Sequence, residues 1–193
     1  MMVFEGEEVR RFRHSLRAKS DAIMVGSNTI RADDPHLTVR DAEGPNPLRV
    51  IPASQGDLPL QSNVFSDGLP TLVAVSASAP QANVAALEAR GVAVERVGET
   101  VVDLRGLLAR LHTLGIGSVM VEGGAKLLAS LFRARLVDEL IIQHLPVIFG
   151  GDEAPAMVGG AAIDDVLESV RLELVDVTRM GQHAIITYRP RHE

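Results

Sequence analysis

A valine-rich run that stops at two glycines and restarts as a helix constrains this chain more than any other segment: residues 118–128 read Ser-Val-Met-Val-Glu-Gly-Gly-Ala-Lys-Leu-Leu. A strand that ends this way aims unpaired backbone N–H groups and the positive end of a helix dipole at one spot, where an anionic diphosphate is favoured. Gly123 and Gly124 also permit a backbone approach that a Cβ would block. Taken alone, the pair reads equally well as an ordinary strand-to-helix turn.

The rest of the chain repeats the alternation. Residues 7–19 have the spacing of an Arg-rich amphipathic helix, and 21–25 form a short apolar strand ending at Gly26. Polar turn residues dominate from there to Pro47. Strands are expected at 48–51, 71–75 and 92–97, with a helix capped by Ser78 running to Arg90. Asp103 has the character of an N-cap, and Leu104, Leu107, Leu108, Leu111 and Leu114 make a helical stripe that stops at Gly115. After the glycine-pair helix come a strand at 136–144, a Gly-rich stretch at 150–160, and runs at 171–177 and 183–188 that Gly181 joins as a hairpin. Helix and strand alternate up to residue 133 and strands alone follow. The expected fold is therefore α/β, a mostly parallel sheet flanked by helices with an antiparallel C-terminal hairpin, in one domain over 1–193. Ligands of such sheets bind outside the carboxyl ends of the strands, where Gly26 and Gly123 both fall.

Composition narrows the function classes. Of 193 residues 46% are hydrophobic and only 3% aromatic, which suits an aliphatic core of buried parallel strands. A formal charge of −6 without a basic cluster argues against nucleic acid and anionic membrane as partners. With no cysteine there is no disulfide, thiolate nucleophile or Cys-bearing zinc site, and the six histidines lack ligand spacing, so no metal is expected. Residues 1–10 alternate acid and base without a signal-like apolar region, and no apolar run reaches membrane-span length, which points to a cytoplasmic protein.

Three segments together resemble a known family. Residues 16–40, LRAKSDAIMVGSNTIRADDPHLTVR, VEGG at 121–124, and LVDEL at 136–140 with PVIFGG at 146–151 are similar in order and spacing to the reductase domain of riboflavin biosynthesis, which has a dihydrofolate-reductase-like fold. Ala154–Pro155 and Gly159–Gly160 are most similar to the stand-alone, archaeal-type members. The resemblance implies reduction of the ribosylamino group of a diaminopyrimidinone 5′-phosphate to a ribitylamino group, by a hydride delivered to C1′ of the opened sugar. NADPH is the implied cofactor and NADH the alternative. Arg17, Leu37, Arg40 and Glu122 take substrate positions, while Thr29, Asp33, Ser54, Gly123, Gly124, Ala125, Lys126, Leu127, Leu128, Ala129 and Ser130 take nucleotide positions.

Several of these roles have a physical rationale beside a plainer alternative. Arg17 and Arg40 suit bidentate capture of a 5′-phosphate, or are simply solvated arginines. Glu122 suits hydrogen bonds from an aminopyrimidine, or caps the neighbouring helix. Of Asp33 and Asp34, one is explained by turn chemistry before Pro35, and Asp33 is the candidate general acid or base. Lys126 is expected to face solvent, since a cation gains nothing from a helix N-terminus.

One departure matters. Members of this family begin with a strand and an S-x-D-G-like loop ahead of the first helix, and residues 1–6 correspond only to the tail of that stretch. The resemblance therefore implies an interior strand that this sequence lacks, with a start upstream in the gene as the favoured explanation. It also implies a homodimer. The competing functions are a dihydrofolate-type or other pterin or pyrimidine reductase, and a non-catalytic nucleotide-binding subunit. Deamination is not expected, because its zinc site needs a His/Cys cluster.

Overall fold

The computed structural model describes residues 6–148, 150–151, 154, 156–160 and 169–191. Five parallel strands make the main sheet: β1 (Ala22–Met24), β2 (Leu48–Pro52), β3 (Thr71–Val75), β4 (Ala93–Arg96) and β5 (Val119–Val121), in the order β4-β3-β2-β1-β5. Parallel strands need crossovers, and α2 (Ser27–Asp33), α3 (Gln81–Glu88) and α4 (Leu104–Thr113) supply three of the four, while α1 (Glu7–Lys19) precedes β1 and α5 (Ala125–Arg133) follows β5.

Side chains alternate across the sheet, so each strand feeds two cores. Ile23, Val25, Ile51, Val73 and Val75 pack on one face with Val84 and Leu87 of α3. Ala22, Met24, Val50, Leu72 and Ala74 pack on the other with Leu107 and Leu111 of α4 and Leu127 and Leu131 of α5. That double burial explains why β1 and β3 are apolar without polar alternation. A buried polar anchor closes the sheet's lower edge: Arg49 of β2 donates from both Nη atoms to Asp67, at 2.9 and 2.8 Å, and to the Leu69 carbonyl at 2.7 Å.

The C-terminal strands form a separate antiparallel sheet, β6 (Leu140–His144), β7 (Leu172–Met180) and β8 (His183–Pro190), in the order β6-β8-β7. Gly181, at φ 59°, makes the tight turn between paired Met180 and His183. Among the described residues no pairing joins β5 to β6, and an apolar cleft of about 670 Å³ lies between them.

The architecture matches the expectation, with local differences. Helix α2 lies inside the region read as polar turns, because seven residues with one buried apolar side chain, Ile30, carry no periodic signal. Helix α3 starts at Gln81, since Pro80 stands in extended backbone as its cap while Ser78 Oγ pairs with Ser76 Oγ instead. Asp103 does cap α4, accepting the Arg105 N–H at 3.0 Å, but Leu114 at the far end is exposed. Strand β6 begins at Leu140 rather than 136, and β7 and β8 each extend past the apolar run that marked them. Residues 1–5, Phe149 and Pro155 lie outside the described residues.

Candidate active site

The strand order fixes where a ligand fits. From β1 the chain moves to β2, β3 and β4 on one side and then returns to lay β5 on the other side of β1. The carboxyl ends of β1 and β5 therefore flank a crevice at a topological switch point. Gly26 ends β1 and caps α2; Gly123 and Gly124 end β5, and Gly124 caps α5. The two turns abut. A Cβ on Gly124 would stand 3.3 Å from Gly26 N and 3.4 Å from Gly26 Cα, and Gly124 has φ +91°. Only glycine fits there.

Helix α5 presents its amino end at this point. Leu128 N–H reaches back to the Gly124 carbonyl at 3.0 Å, which leaves the N–H groups of Ala125, Lys126 and Leu127 without an acceptor inside the helix. Leu127 and Ala129 are buried, so these positions offer the site their backbone rather than their side chains. Lys126 and Ser130 are exposed, and Ser130 Oγ donates to the Lys126 carbonyl at 3.0 Å. Thr29 N–H is bound to the Gly26 carbonyl at 3.0 Å, which puts Thr29 in the first turn of α2 beside the crevice. Ser54 follows β2 at the same edge, where its Oγ accepts the Val102 N–H at 3.0 Å and its carbonyl accepts Ser76.

A second cluster adjoins the glycine pair through Glu122. Arg17 of α1 donates from Nε and Nη2 to the two Glu122 carboxylate oxygens, both at 2.5 Å, and from Nη1 to the Thr38 carbonyl at 2.8 Å. Arg13 Nη1 lies 3.9 Å from the same carboxylate. The Arg17 fork, expected as a phosphate clamp, is thus occupied by the Glu122 carboxylate, and Glu122 does not cap α5. Leu37, buried and at φ 54°, precedes Thr38 in the segment that leads to Arg40, whose side chain is exposed.

The adjacent aspartates differ in their surroundings, and the Asp34 carboxylate is engaged by Asn63 rather than by its own turn. Asp34 closes α2 in left-handed backbone at φ 40°, and its carboxylate accepts the Asn63 N–H at 2.8 Å and Nδ2 at 3.0 Å. Asp33 is the last residue of α2 and is exposed.

His14 carries no signal in the sequence beyond its place three residues before Arg17, on the same helix face. It is fully buried; Nδ1 accepts the Arg40 N–H at 3.0 Å, and Nε2 lies 3.4 Å from Asp41 Oδ2. Burial, then the cationic Arg17 and Arg13, hold its pKa below the usual histidine value. Among the described residues there is no cluster of His, Asp and Glu able to hold a metal ion, and no helix is long and apolar enough to cross a membrane.

Residues 3–186 match the family described as the RibD C-terminal domain. The chain is similar to the 2,5-diamino-6-ribosylamino-4(3H)-pyrimidinone 5′-phosphate reductase of Aquifex aeolicus, 42% identical over 175 residues, 90% of this chain and 78% of that protein. It is also similar to the reductase of the same name from Methanothermobacter thermautotrophicus, 44% identical over 186 residues, 95% of this chain and 86% of that one. Among solved structures, Acinetobacter baumannii RibD, form 2, superposes with a TM-score of 0.82 at 27% identity, covering 97% of this chain and 52% of that one. The chain thus spans about half the length of the solved RibD polypeptide.

Proposed function

The chain belongs to the RibD C-terminal domain family, and on that premise we propose that it uses NADPH to reduce a 2,5-diamino-6-ribosylamino-pyrimidinone 5′-phosphate to its ribitylamino product. The observation that carries this reading is the contact of Gly26 with Gly124 at the switch point, with the Glu122–Arg17 cluster directly beside it.

The residues fit a dinucleotide. A Cβ on Gly124 would crowd the Gly26 backbone at the point where the two turns meet, and the three α5 N–H groups offer the pyrophosphate donors along a favourable dipole. Thr29, Ser54 and residues 123–130 line the nucleotide side. When bound, the cofactor supplies a hydride. Everything else falls to the protein: the C1′–O4′ bond of the sugar opens, C1′ gains the hydride, and O4′ takes a proton, for which Asp33 is the candidate donor. Glu122, set in place by Arg17, offers carboxylate oxygens to the aminopyrimidine, Leu37 shapes the pocket, and Arg40 takes the 5′-phosphate. We assign the working form as a cytoplasmic homodimer built on β7, whose residues Leu174, Val175 and Val177 are all exposed.

The test is NADPH oxidation with the ribosylaminopyrimidinone phosphate, with NADH and dihydrofolate as parallel arms. Turnover of the phosphate substrate is the expected result. Turnover of dihydrofolate alone reassigns the substrate, and nucleotide binding without turnover of either leaves a non-catalytic subunit.

A further inference from the structure

We infer that His14 is a positioning residue for substrate, holding through its neutral ring the backbone from which Arg40 projects. The inference rests on the reading of Arg40 as the phosphate anchor, and goes beyond it in saying what fixes that anchor. His14 is buried on α1, whereas the segment after Leu37 contains no helix or strand until β2 begins at Leu48. In that stretch the Arg40 N–H has one acceptor, His14 Nδ1 at 3.0 Å, and the Val39 N–H has another, Asn46 Oδ1 at 2.7 Å. An imidazole that accepts at Nδ1 carries its proton on Nε2, the edge turned toward Asp41.

The arrangement works in one protonation state. A proton on Nδ1 turns the acceptor into a donor facing the Arg40 N–H, and the contact is lost. The charges around the ring favour the neutral form. Arg13 and Arg17 on its own helix and Arg40 opposite disfavour an imidazolium; Asp41 alone favours one, and Arg10 Nε draws on that same carboxylate at 3.1 Å. Burial acts in the same direction as the arginines. The ring's polar partners are the Arg40 N–H and Asp41, not Glu122 or the glycine turns, so its loss is expected to act on substrate binding and not on the nucleotide.

Three variants read this out. His14→Ala is expected to raise KM for the phosphorylated substrate about tenfold while kcat and NADPH affinity stay within about twofold. His14→Gln, whose Oε1 can accept the Arg40 N–H, is expected to restore most of the loss. Wild-type KM is expected to climb on acidification more steeply than that of His14→Gln, which lacks the imidazole and keeps every other titrating group. Arg40→Ala is expected to raise KM and to make the His14→Ala change silent. An unchanged KM in a folded His14→Ala protein, or a His14→Gln variant as impaired as His14→Ala, overturns the inference.

A readout free of activity separates it from the functional reading. In the wild-type protein the Arg40 amide is expected to exchange with solvent more slowly than the amides of residues 42–44, and the His14 nitrogen spectrum to show an unprotonated Nδ1. An Arg40 amide as fast as its neighbours overturns the role of His14 even if His14→Ala fails to fold. Absence of substrate turnover with a protected Arg40 amide overturns the assigned substrate instead.

Discussion

Arg17 and Glu122, 105 positions apart in sequence, meet as a two-pronged ion pair that ties α1 to the end of β5. The same guanidinium holds the Thr38 carbonyl, so one side chain joins three segments of the site. The Arg17 side chain is 5% exposed and that of Glu122 15%. Removing one partner leaves a buried charge uncompensated, which costs about 3–5 kcal/mol. Glu122→Ala is therefore expected to lose stability of that order in urea unfolding. The double variant Arg17→Met/Glu122→Leu is expected to be more stable than either corresponding single change, and a double loss equal to the sum of the singles counts against the pair.

Gly124→Ala is expected to weaken NADPH binding more than tenfold and to lower stability by about 1–3 kcal/mol from left-handed strain. Gly123→Ala is the internal control. Gly123 also has positive φ, at +94°, but a Cβ there meets nothing within 4 Å. It is expected to show the strain without the clash against Gly26. Equal nucleotide affinity in the two variants, measured by fluorescence titration, counts against close approach as the reason for glycine at 124.

Sequence periodicity revealed what depends on packing between neighbours in sequence. The Leu107 and Leu111 stripe, the apolar β3 and the Gly181 turn are local patterns with one sensible structural outcome. The glycine turn at 123–124 was equally legible, but its partner Gly26 was visible only as a strand end, because no sequence spacing says that two turns touch. Helix α2 was missed since its caps, Gly26 and left-handed Asp34, make no side-chain cap bond. The engagement of Arg17 by Glu122 and the burial of His14 depend on contacts made across the fold. A guanidinium aimed at a ligand and one aimed at a carboxylate read alike in a string of letters.

Acidification is expected to destabilise the protein in two steps. The pKa of His14 lies below its ordinary value of about 6.5, so its contribution is complete above that pH and is lost as pH falls through the lowered value. Asp67 lies below the usual carboxylate value because Arg49 donates to it; its contribution is present above about pH 3.8 and is lost as pH falls through the folded value. Urea midpoints followed from pH 8 to pH 3 should show the upper step vanish in His14→Gln and the lower one in Asp67→Asn. A midpoint that does not move across the range counts against both.

Strand β7 is exposed on both faces, with Leu174 and Val177 each 57% accessible. An edge strand of nine residues that exposes Leu172, Leu174, Val175 and Val177 is a template for association. The Leu174→Lys/Val177→Lys variant is expected to sediment as a monomer while the wild type sediments as a dimer. A monomeric wild type at micromolar concentration counts against β7 as a self-association surface.

The cleft between β5 and β6 makes the last prediction. Ala22 N–H bonds to the Ser118 carbonyl and Glu122 N–H to the Met24 carbonyl, both at 3.0 Å, so Ser118 and Glu122 turn their backbone groups toward β1. By the two-residue alternation of a strand, Val119 and Val121 turn theirs the other way, into the cleft. Across it, Gln143 of β6 has a buried Nε2 without a hydrogen-bond partner. Leu16, Met120, Leu128 and Leu140 give the space apolar walls. Two facing edges of this kind complement one extended apolar strand, and each backbone group left buried without a partner costs about 1–3 kcal/mol. A valine-rich strand joined through a short linker ahead of Met1 is therefore expected to raise Tm by about 5 °C or more, since about 1 kcal/mol shifts a domain of this size by 2–4 °C. It should also slow hydrogen exchange at the Val119 and Val121 amides, while the same strand with two prolines should do neither. An unchanged Tm with unchanged exchange at both valines would show that the cleft does not accept a strand.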